Sequence, residues 1–169
     1  LSRGLGDVYK RQYKGFLNEF KFGASADLGI NSEFIINPKL KVNLFVFNGE
    51  GYKALQDDDG YQRVGTSFIY SISNKIFGKI YLDSHPSKDA KAITNSSIFL
   101  GYNNNDIKLG VEYGKIKYGR TYKNAEDGHN RDGYSVFAIK SLKNNFEIYS
   151  RYDSISSNIL SGQTIPWNN

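Results

Sequence analysis

The stretch FKFGASADLGINSEFII, residues 20–36, alternates apolar with polar residues along most of its length. Its even-numbered positions are almost all apolar, whereas its odd-numbered positions are mostly polar or glycine and include Lys21 and Asp27. Because successive side chains of a β-strand point to opposite faces, a period of two predicts a strand. The sequence therefore predicts one long strand from Phe20 to Ile36, with one apolar and one hydrated face.

This predicted strand is much longer than the five or six residues that are usual in globular proteins. A β-strand that crosses a bilayer needs about 9–11 residues for the hydrocarbon, and more for the headgroup regions. One face of such a strand contacts lipid and the other contacts water. We therefore expect the stretch to belong to a membrane-spanning β-sheet.

Composition limits the other possibilities. The 169 residues are enough for one domain, and the mean hydropathy of −0.52 combines with an aromatic content of 15%. That combination suits an outer-membrane barrel, in which only alternate residues are apolar, and equally suits a polar soluble β-protein. The chain has no cysteine, which excludes disulfides and thiolate metal sites. It contains no run of 18 apolar residues, so no transmembrane helix is predicted.

The first twelve residues form a separate segment. Asp7–Gln12 looks like the translation of a transposon adapter used in sequencing libraries, so we expect Leu1–Gln12 to be non-native and residues 13–169 to be a partial outer-membrane β-barrel. No signal peptide is visible, and we expect it to precede Tyr13 in the gene. Without the +2 of the first segment, the net charge of +5 falls to +3. This is too small to indicate nucleic acid or a polybasic membrane signal.

Seven further strands are predicted by the same alternation. They are about Leu40–Asn48, Tyr61–Ile72, Ile76–Ser84, Asn95–Tyr102, Ile107–Tyr118, Tyr134–Leu142 and Phe146–Asp153. The phase slips within the sixth strand, which predicts a bulge near Gly114 and Lys115. The facing of the seventh stays open, because residues 136–139 are continuously apolar. Residues from Ser154 onward are predicted to be a loop, and no helix is predicted.

The lengths of the connections indicate the architecture. Tight turns around Asn37, Asn74, Asn104 and Asn144 alternate with longer loops around Glu50, Pro86, Glu126 and Ser156. Outer-membrane barrels have short periplasmic turns and long extracellular loops. We therefore predict an all-β, antiparallel, up-and-down barrel wall of about eight strands. It would be part of a larger barrel, although eight strands could also close on themselves.

Few residues point to chemistry. Asp57-Asp58-Asp59-Gly60 carries oxygen ligands but lacks the spacing of a calcium loop, and His85 and His129 are predicted to lie in separate loops. We predict no metal, no cofactor and no enzymatic activity. Some outward aromatic residues near strand ends are candidates for interfacial girdles, or else reflect the ordinary enrichment of aromatics in strands. These residues are Tyr70, Tyr102, Tyr118 and Phe146.

Five segments resemble strand ends and loops of one family. They are Phe47–Lys53, Asp57–Tyr61, Glu147–Asp153, Ser161–Gln163 and Pro166–Asn168. Together they resemble bacterial outer-membrane porins of the phosphate-selective porin O/P type and their OmpL-like relatives. The resemblance implies the C-terminal half of a roughly sixteen-stranded pore in a Gram-negative outer membrane, without its last strands.

Three functions follow as expectations. The first is passive diffusion of small hydrophilic solutes or ions through a water-filled barrel. The second is a non-conducting barrel that serves as an anchor, adhesin or membrane enzyme, and the third is a soluble β-protein that binds ligands. The expected partners are outer-membrane lipid and lipopolysaccharide, small solutes, and a possible second copy of the chain, but not nucleic acid.

The strand phases also predict which charges line the pore. The cations are Lys21, Lys41, Arg63, Lys79, Lys108 and Arg151, and the anions are Asp27, Asp83, Glu112, Glu147 and Asp153. The two signs nearly balance, whereas pores that select anions use rings of Arg and Lys. We therefore expect weak selectivity, without the phosphate specificity of the family.

Overall fold

A computed structural model describes residues 15–22, 27–49, 60–87, 91–119, 129–142 and 146–158. A four-residue helix, α1 (Phe16–Glu19), precedes a single eight-stranded antiparallel sheet. The strands are β1 (Gly29–Asn37), β2 (Leu40–Phe47), β3 (Arg63–Ser71), β4 (Ile76–His85), β5 (Ile93–Asn103), β6 (Ile107–Gly119), β7 (His129–Ser141) and β8 (Glu147–Asn158). No helix in these ranges is long and apolar enough to cross a membrane.

The strands pair in chain order from β1 to β8, and each pairs only with its nearest neighbours in sequence. The predicted all-β, up-and-down architecture is thereby confirmed. In the described part of the chain the sheet is open, because β1 pairs only with β2 and β8 only with β7. An eight-stranded sheet closed on itself is therefore not what this chain forms.

The start of the first strand was predicted wrongly. β1 begins at Gly29, whereas Phe20 and Lys21 follow α1 in a turn, in which Lys21 has a φ of 51°. The alternation of Phe20 and Phe22 has a different origin. Phe22 is buried together with Phe16 against the sheet, so a docked segment produced the apolar positions that a strand would also show. The prediction of no helix is corrected by α1, and residues 23–26 lie outside the described residues.

Three smaller predictions about the later strands are also wrong. The register between β6 and β7 runs without interruption to the pair Ile116–Arg131 and shifts only before Gly119, so the bulge at Gly114 and Lys115 is absent. β7 begins at His129 within the predicted loop. β8 continues to Asn158, beyond the predicted loop start at Ser154.

The two faces of the sheet differ strongly in exposure. Large apolar side chains on one face, hereafter the apolar face, are exposed on all eight strands. By register they share that face: Ile30, Phe34, Leu44, Val46, Val64, Phe68, Tyr70, Ile80, Leu82, Ile98, Leu100, Leu109, Val111, Tyr113, Tyr134, Val136, Ile148 and Tyr152. The opposite face, the polar face, contains most of the buried residues, although α1 is the one described element outside the sheet that lies against it. A single layer buries one face in this way when it curves around it, so we infer that the polar face is concave.

The tight turns are stabilised by side-chain oxygens. Asn37 Oδ1 accepts hydrogen bonds from the backbone N–H groups two and three residues later, at 2.9 and 3.0 Å. Ser73 Oγ and Asn104 Oδ1 do the same in the next two turns. Such bonds replace the missing ladder partners at a chain reversal. The described tight turns lie at one rim and the longer connections at the other, as predicted. The turn at Asn144 and the loop positions Glu50 and Glu126 lie outside the described residues.

We expect Asn104→Ala to lower the free energy of unfolding by about 1–2 kcal/mol, because Asn104 Oδ1 accepts from both Asp106 N and Ile107 N. Equilibrium urea unfolding followed by circular dichroism measures this change. Asn105→Ala is the matched control, since the exposed Asn105 side chain makes no hydrogen bond to a described residue. Equal losses in the two variants would contradict the role of the turn oxygen.

Candidate functional site: the polar face

Nine of the eleven predicted pore-lining residues share the polar face. The strand register aligns them through pairs such as Ile69–Lys79, Phe99–Glu112 and Ser135–Asp153. The nine are Lys41, Arg63, Lys79, Asp83, Lys108, Glu112, Glu147, Arg151 and Asp153. Their common facing follows from the period of two and the uninterrupted register. Their role in a pore stays a prediction.

The other two predicted residues are not on strands. Lys21 lies in the turn after α1, and its carbonyl oxygen accepts a hydrogen bond of 2.9 Å from Arg131 Nη2. Asp27 precedes β1, and its carboxylate accepts from Leu28 N at 2.9 Å and from Gly49 N at 3.0 Å. The placement of both as strand residues is corrected. Asp27 instead joins the entry of β1 to the end of β2.

Two charges on the polar face were missed from the sequence. Glu33 belongs to the polar set of β1 and was left out of the predicted lining. Arg131 was assigned to a loop, although it continues the alternation of β7 towards its N-terminus through Gly133 and Ser135. With both included, the polar face of the described strands carries six cations and five anions.

Most of these charges occur as neighbouring opposite pairs. The pairs are Lys41–Glu33 at 3.3 Å, Arg63–Asp83 at 3.6 Å, Lys108–Glu147 at 3.8 Å and Arg151–Asp153 at 2.8 Å. An exposed pair such as Lys41–Glu33 contributes little to stability. Pairing nonetheless cancels the field of each charge beyond a few ångströms, so the face has no continuous basic or acidic row among the described strands.

Asp83 is the centre of a buried polar cluster. Its carboxylate accepts a hydrogen bond from Asn95 Nδ2 at 2.8 Å and another from the Tyr81 hydroxyl, and it faces the Arg63 guanidinium. A buried carboxylate is tolerated only with such partners. The cluster therefore joins β3, β4 and β5 near the rim of the longer connections.

Glu112 and Lys79 belong to none of these four ion pairs. Lys79 lies on β4 with its Nζ 5.9 Å from the centre of the Tyr81 ring. Glu112 lies on β6, in the same register row as Lys79 with Phe99 between them. Neither charge is therefore neutralised by an ion pair with a described residue.

The segment with α1 docks on this face through an apolar seat. Phe16 and Phe22 pack with Ile116, and Ile93 and Ile155 contact the same cluster. Gly114 and Gly133 are register partners beneath it, and a Cβ at Gly114 would lie 2.6 Å from the Leu17 side chain. The Arg131 guanidinium lies 5.7 Å from the centre of the Phe22 ring. Contact with the docked segment explains why Ile116 is apolar although it lies on the polar face. In the sequence, this apolar residue was visible as a change in the phase of the alternation.

The remaining candidates for a metal site are the two histidines and the acidic loop. His85 and His129 are buried at the end of β4 and the start of β7, and not in loops as predicted. The described residues contain no group of three His, Cys, Asp or Glu side chains that could hold an ion. Of the acidic loop only Gly60 is described. Tyr70 lies on the apolar face towards the tight-turn rim, whereas Tyr118 lies at the opposite rim with Lys91 Nζ 5.0 Å from its ring centre.

We expect Phe16→Ala to release the segment 15–22 from the sheet. The lost side chain is 2% exposed, and removal of such a phenylalanine costs about 3 kcal/mol or more. Tryptic cleavage after Lys21 should then accelerate about a hundredfold, because opening exposes the bond to the buried Phe22. Glu19→Ala, at an exposed position of the same helix, is the control. An unchanged rate for Phe16→Ala would show that the segment is not held by this seat.

Comparison with known proteins adds no family: no protein-family model, no curated protein and no solved structure matches this chain. The likeness to phosphate-selective and OmpL-like porins stays a prediction from the sequence. The functional argument rests on the two faces of the sheet.

Proposed function

We propose that this sheet is part of the wall of an outer-membrane β-barrel, and that the barrel is a weakly selective pore for small hydrophilic solutes or ions. The observation that carries the proposal is the apolar face, which is exposed along all eight strands while the opposite face is polar and contains most of the buried residues. Seven of the eight described strands have nine to thirteen residues and are long enough to cross a bilayer when tilted.

A soluble protein would have to cover this face. A sheet in water buries its apolar face against a second layer of helices or strands. The one other described element, α1, packs on the polar face instead. Ile30 remains 75% exposed, Ile98 55% and Val111 49%, and so large an apolar surface is unfavourable in water. Lipid as the neighbour of this face removes the difficulty.

The apolar face ends at a sharp border on β5–β7, and one row earlier on β8, where Ser154 lies opposite Tyr134. One register row carries Ile98, Tyr113 and Tyr134, and the next row towards the longer connections carries Ser96, Lys115, Asp132 and Ser156. The Tyr113 hydroxyl donates to Asp132 at 3.3 Å, and Ser156 Oγ donates to the same carboxylate at 3.1 Å. Tyrosines with their rings in an apolar zone and their hydroxyls in a polar zone are typical of a membrane interface.

The open edges support a larger barrel. The outer edges of β1 and β8 pair with no described strand, and unpaired backbone groups are too costly in hydrocarbon, so spanning sheets close completely. We propose that additional strands pair with both edges. The polar face then lines an aqueous lumen, and its paired charges give the pore a weak field.

A non-conducting barrel that anchors or presents its loops is the second candidate. The observation in its favour is α1, because the docked segment occupies part of the polar face near the rim of the longer connections. Conductance separates this candidate from a pore.

The membrane placement is tested with single cysteines, which the cysteine-free chain permits. We expect a fluorophore on Val111→Cys to be quenched by brominated acyl chains in vesicles, and one on Glu112→Cys not to be. The two positions are adjacent on β6 and face opposite ways. They therefore lie at nearly the same depth in the bilayer, and a difference in quenching reports which face contacts lipid. Val136→Cys and Ser135→Cys repeat the comparison on β7. Equal quenching within both pairs would refute the lipid-facing assignment.

The pore is tested by conductance in planar bilayers under a KCl gradient. We expect a permeability ratio within about threefold of unity, because the charges of the polar face are balanced and mostly paired. Glu112→Gln should shift the reversal potential towards chloride and Lys79→Gln towards potassium, while Lys140→Gln on the opposite face should change nothing. The absence of conductance favours the anchor, and strong anion selectivity would contradict the balanced lining.

A further inference from the structure

Four aromatic rings form a continuous row across the polar face. Phe77 on β4 lies 5.5 Å from Phe99 on β5, Phe99 lies 6.2 Å from Phe137 on β7, and Phe137 lies 6.4 Å from Tyr149 on β8, between ring centres. We call these four residues the aromatic row. It spans five strands of a face whose other side chains are largely charged or polar.

Two of the rings' contacts are with glycines. A Cβ at Gly101 would lie 2.8 Å from the rings of both Phe77 and Phe99, and a Cβ at Gly110 would collide with the Phe137 ring. The glycines therefore let the rings lie close to the backbone. Neighbouring ring planes are inclined by 41°, 21° and 38° along the row, so the row presents a continuous but uneven aromatic surface to the space above the sheet.

The rings of the aromatic row are more exposed than Phe45. Phe45 also lies on a glycine, Gly65, but it is stacked between Phe47 and Tyr81 and is only 6% exposed. Phe77 is 36% exposed, and the other three rings are partly exposed. Packing of the sheet accounts for Phe45 completely. Packing of the sheet does not account for the partial exposure of the aromatic row, because contact between apolar surface and water is unfavourable.

Hydrogen-bonding groups run alongside the row. The register row of Phe99 also carries Lys79, Glu112, Ser135 and Asp153. Lys79, Glu112 and Asp153 offer donors and acceptors of both signs within one strand spacing of the rings, whereas Ser135 is buried. The surface is therefore amphipathic over a short distance, with partly exposed aromatic rings beside polar side chains.

We propose that the aromatic row is a contact site for saccharides that pass along this wall. A pyranose ring has flat faces of C–H groups and a rim of hydroxyls, so it can place a face on an aromatic ring while its hydroxyls bond to neighbouring charged and polar side chains. The inference rests on the proposed pore and names one solute class for it. A simple ion gains nothing from ring faces, and an apolar solute would leave Lys79 and Glu112 without hydrogen-bonding partners.

The balance of charge fits a neutral solute. Ion pairs on both sides of the row cancel most of the field, so neither an anion nor a cation is concentrated there. A saccharide needs no net field and instead needs several hydrogen-bonding groups in a fixed arrangement. Paired charges supply such groups.

The test measures block of the KCl current by maltotriose in planar bilayers, with a polyethylene glycol of matched hydrodynamic radius as the non-saccharide probe. We expect maltotriose to block in a saturable manner and the polymer not to. Phe99→Leu and Phe137→Leu keep an apolar side chain and remove the ring, and each should weaken block by about two- to tenfold. Phe137→Tyr keeps the ring and should keep the block, while Phe68→Leu on the apolar face is the matched control.

The outcomes separate this inference from the function on which it rests. Conductance without block by maltotriose, or equal block by both probes, overturns the saccharide site and leaves the pore intact. Block that is unchanged in both leucine variants, or lost in Phe137→Tyr as well, shows that the ring faces are not the contact. The absence of any conductance overturns the pore and the site together.

Discussion

The constraint on which this structure depends is a common phase of eight strands. Because the strands alternate with a period of two over most of their length and the registers between neighbours keep that phase, most apolar positions fall on one face and most charges fall on the other. A shift of one residue between any two strands would move a whole strand's apolar set to the wet face. The side-chain oxygens of Asn37, Ser73 and Asn104 stabilise the tight turns through their hydrogen bonds. Because a tight turn sets which residues of the two flanking strands pair, these oxygens also help to fix the strand register.

The polar face meets two demands that oppose each other. It must stay hydrated along the strands, and it must also hold the segment with α1, which needs apolar contacts. The chain separates the two demands in space. Ile116, Ile155 and the paired glycines form the seat near one rim, while the ion pairs and the aromatic row lie elsewhere on the same face. Arg131 joins the two zones, because its guanidinium belongs to the polar lining and also bonds to the docked segment.

Sequence alone predicted the fold class and the strands from β2 to β5 to within about two residues, because a strict period of two is a direct record of the two faces. It failed where another element supplied the pattern. Phe22 continued the alternation of a predicted strand, and Ile116 produced the change of phase that predicted a bulge. Both residues are apolar because they pack in one cluster. Arg131 was missed for the converse reason, since the start of β7 is rich in turn-forming residues. The ion pairs could not be predicted, because they depend on register and not on any local signal.

The pairing of charges on the polar face has a physical cause that does not depend on selectivity. Residues on neighbouring strands of a concave surface converge, so like charges there would repel at short range and opposite charges attract. A barrel wall with many ionisable side chains in this space is therefore nearly neutral, unless a bound solute offsets the repulsion between like charges. A continuous row of basic side chains is therefore unfavourable unless an anionic solute binds to it. A barrel wall that binds no such solute carries balanced charges. On such a wall, discrimination between solutes has to come from shape and from uncharged contacts, and the rings laid over Gly101 and Gly110 are the largest such contacts among the described strands.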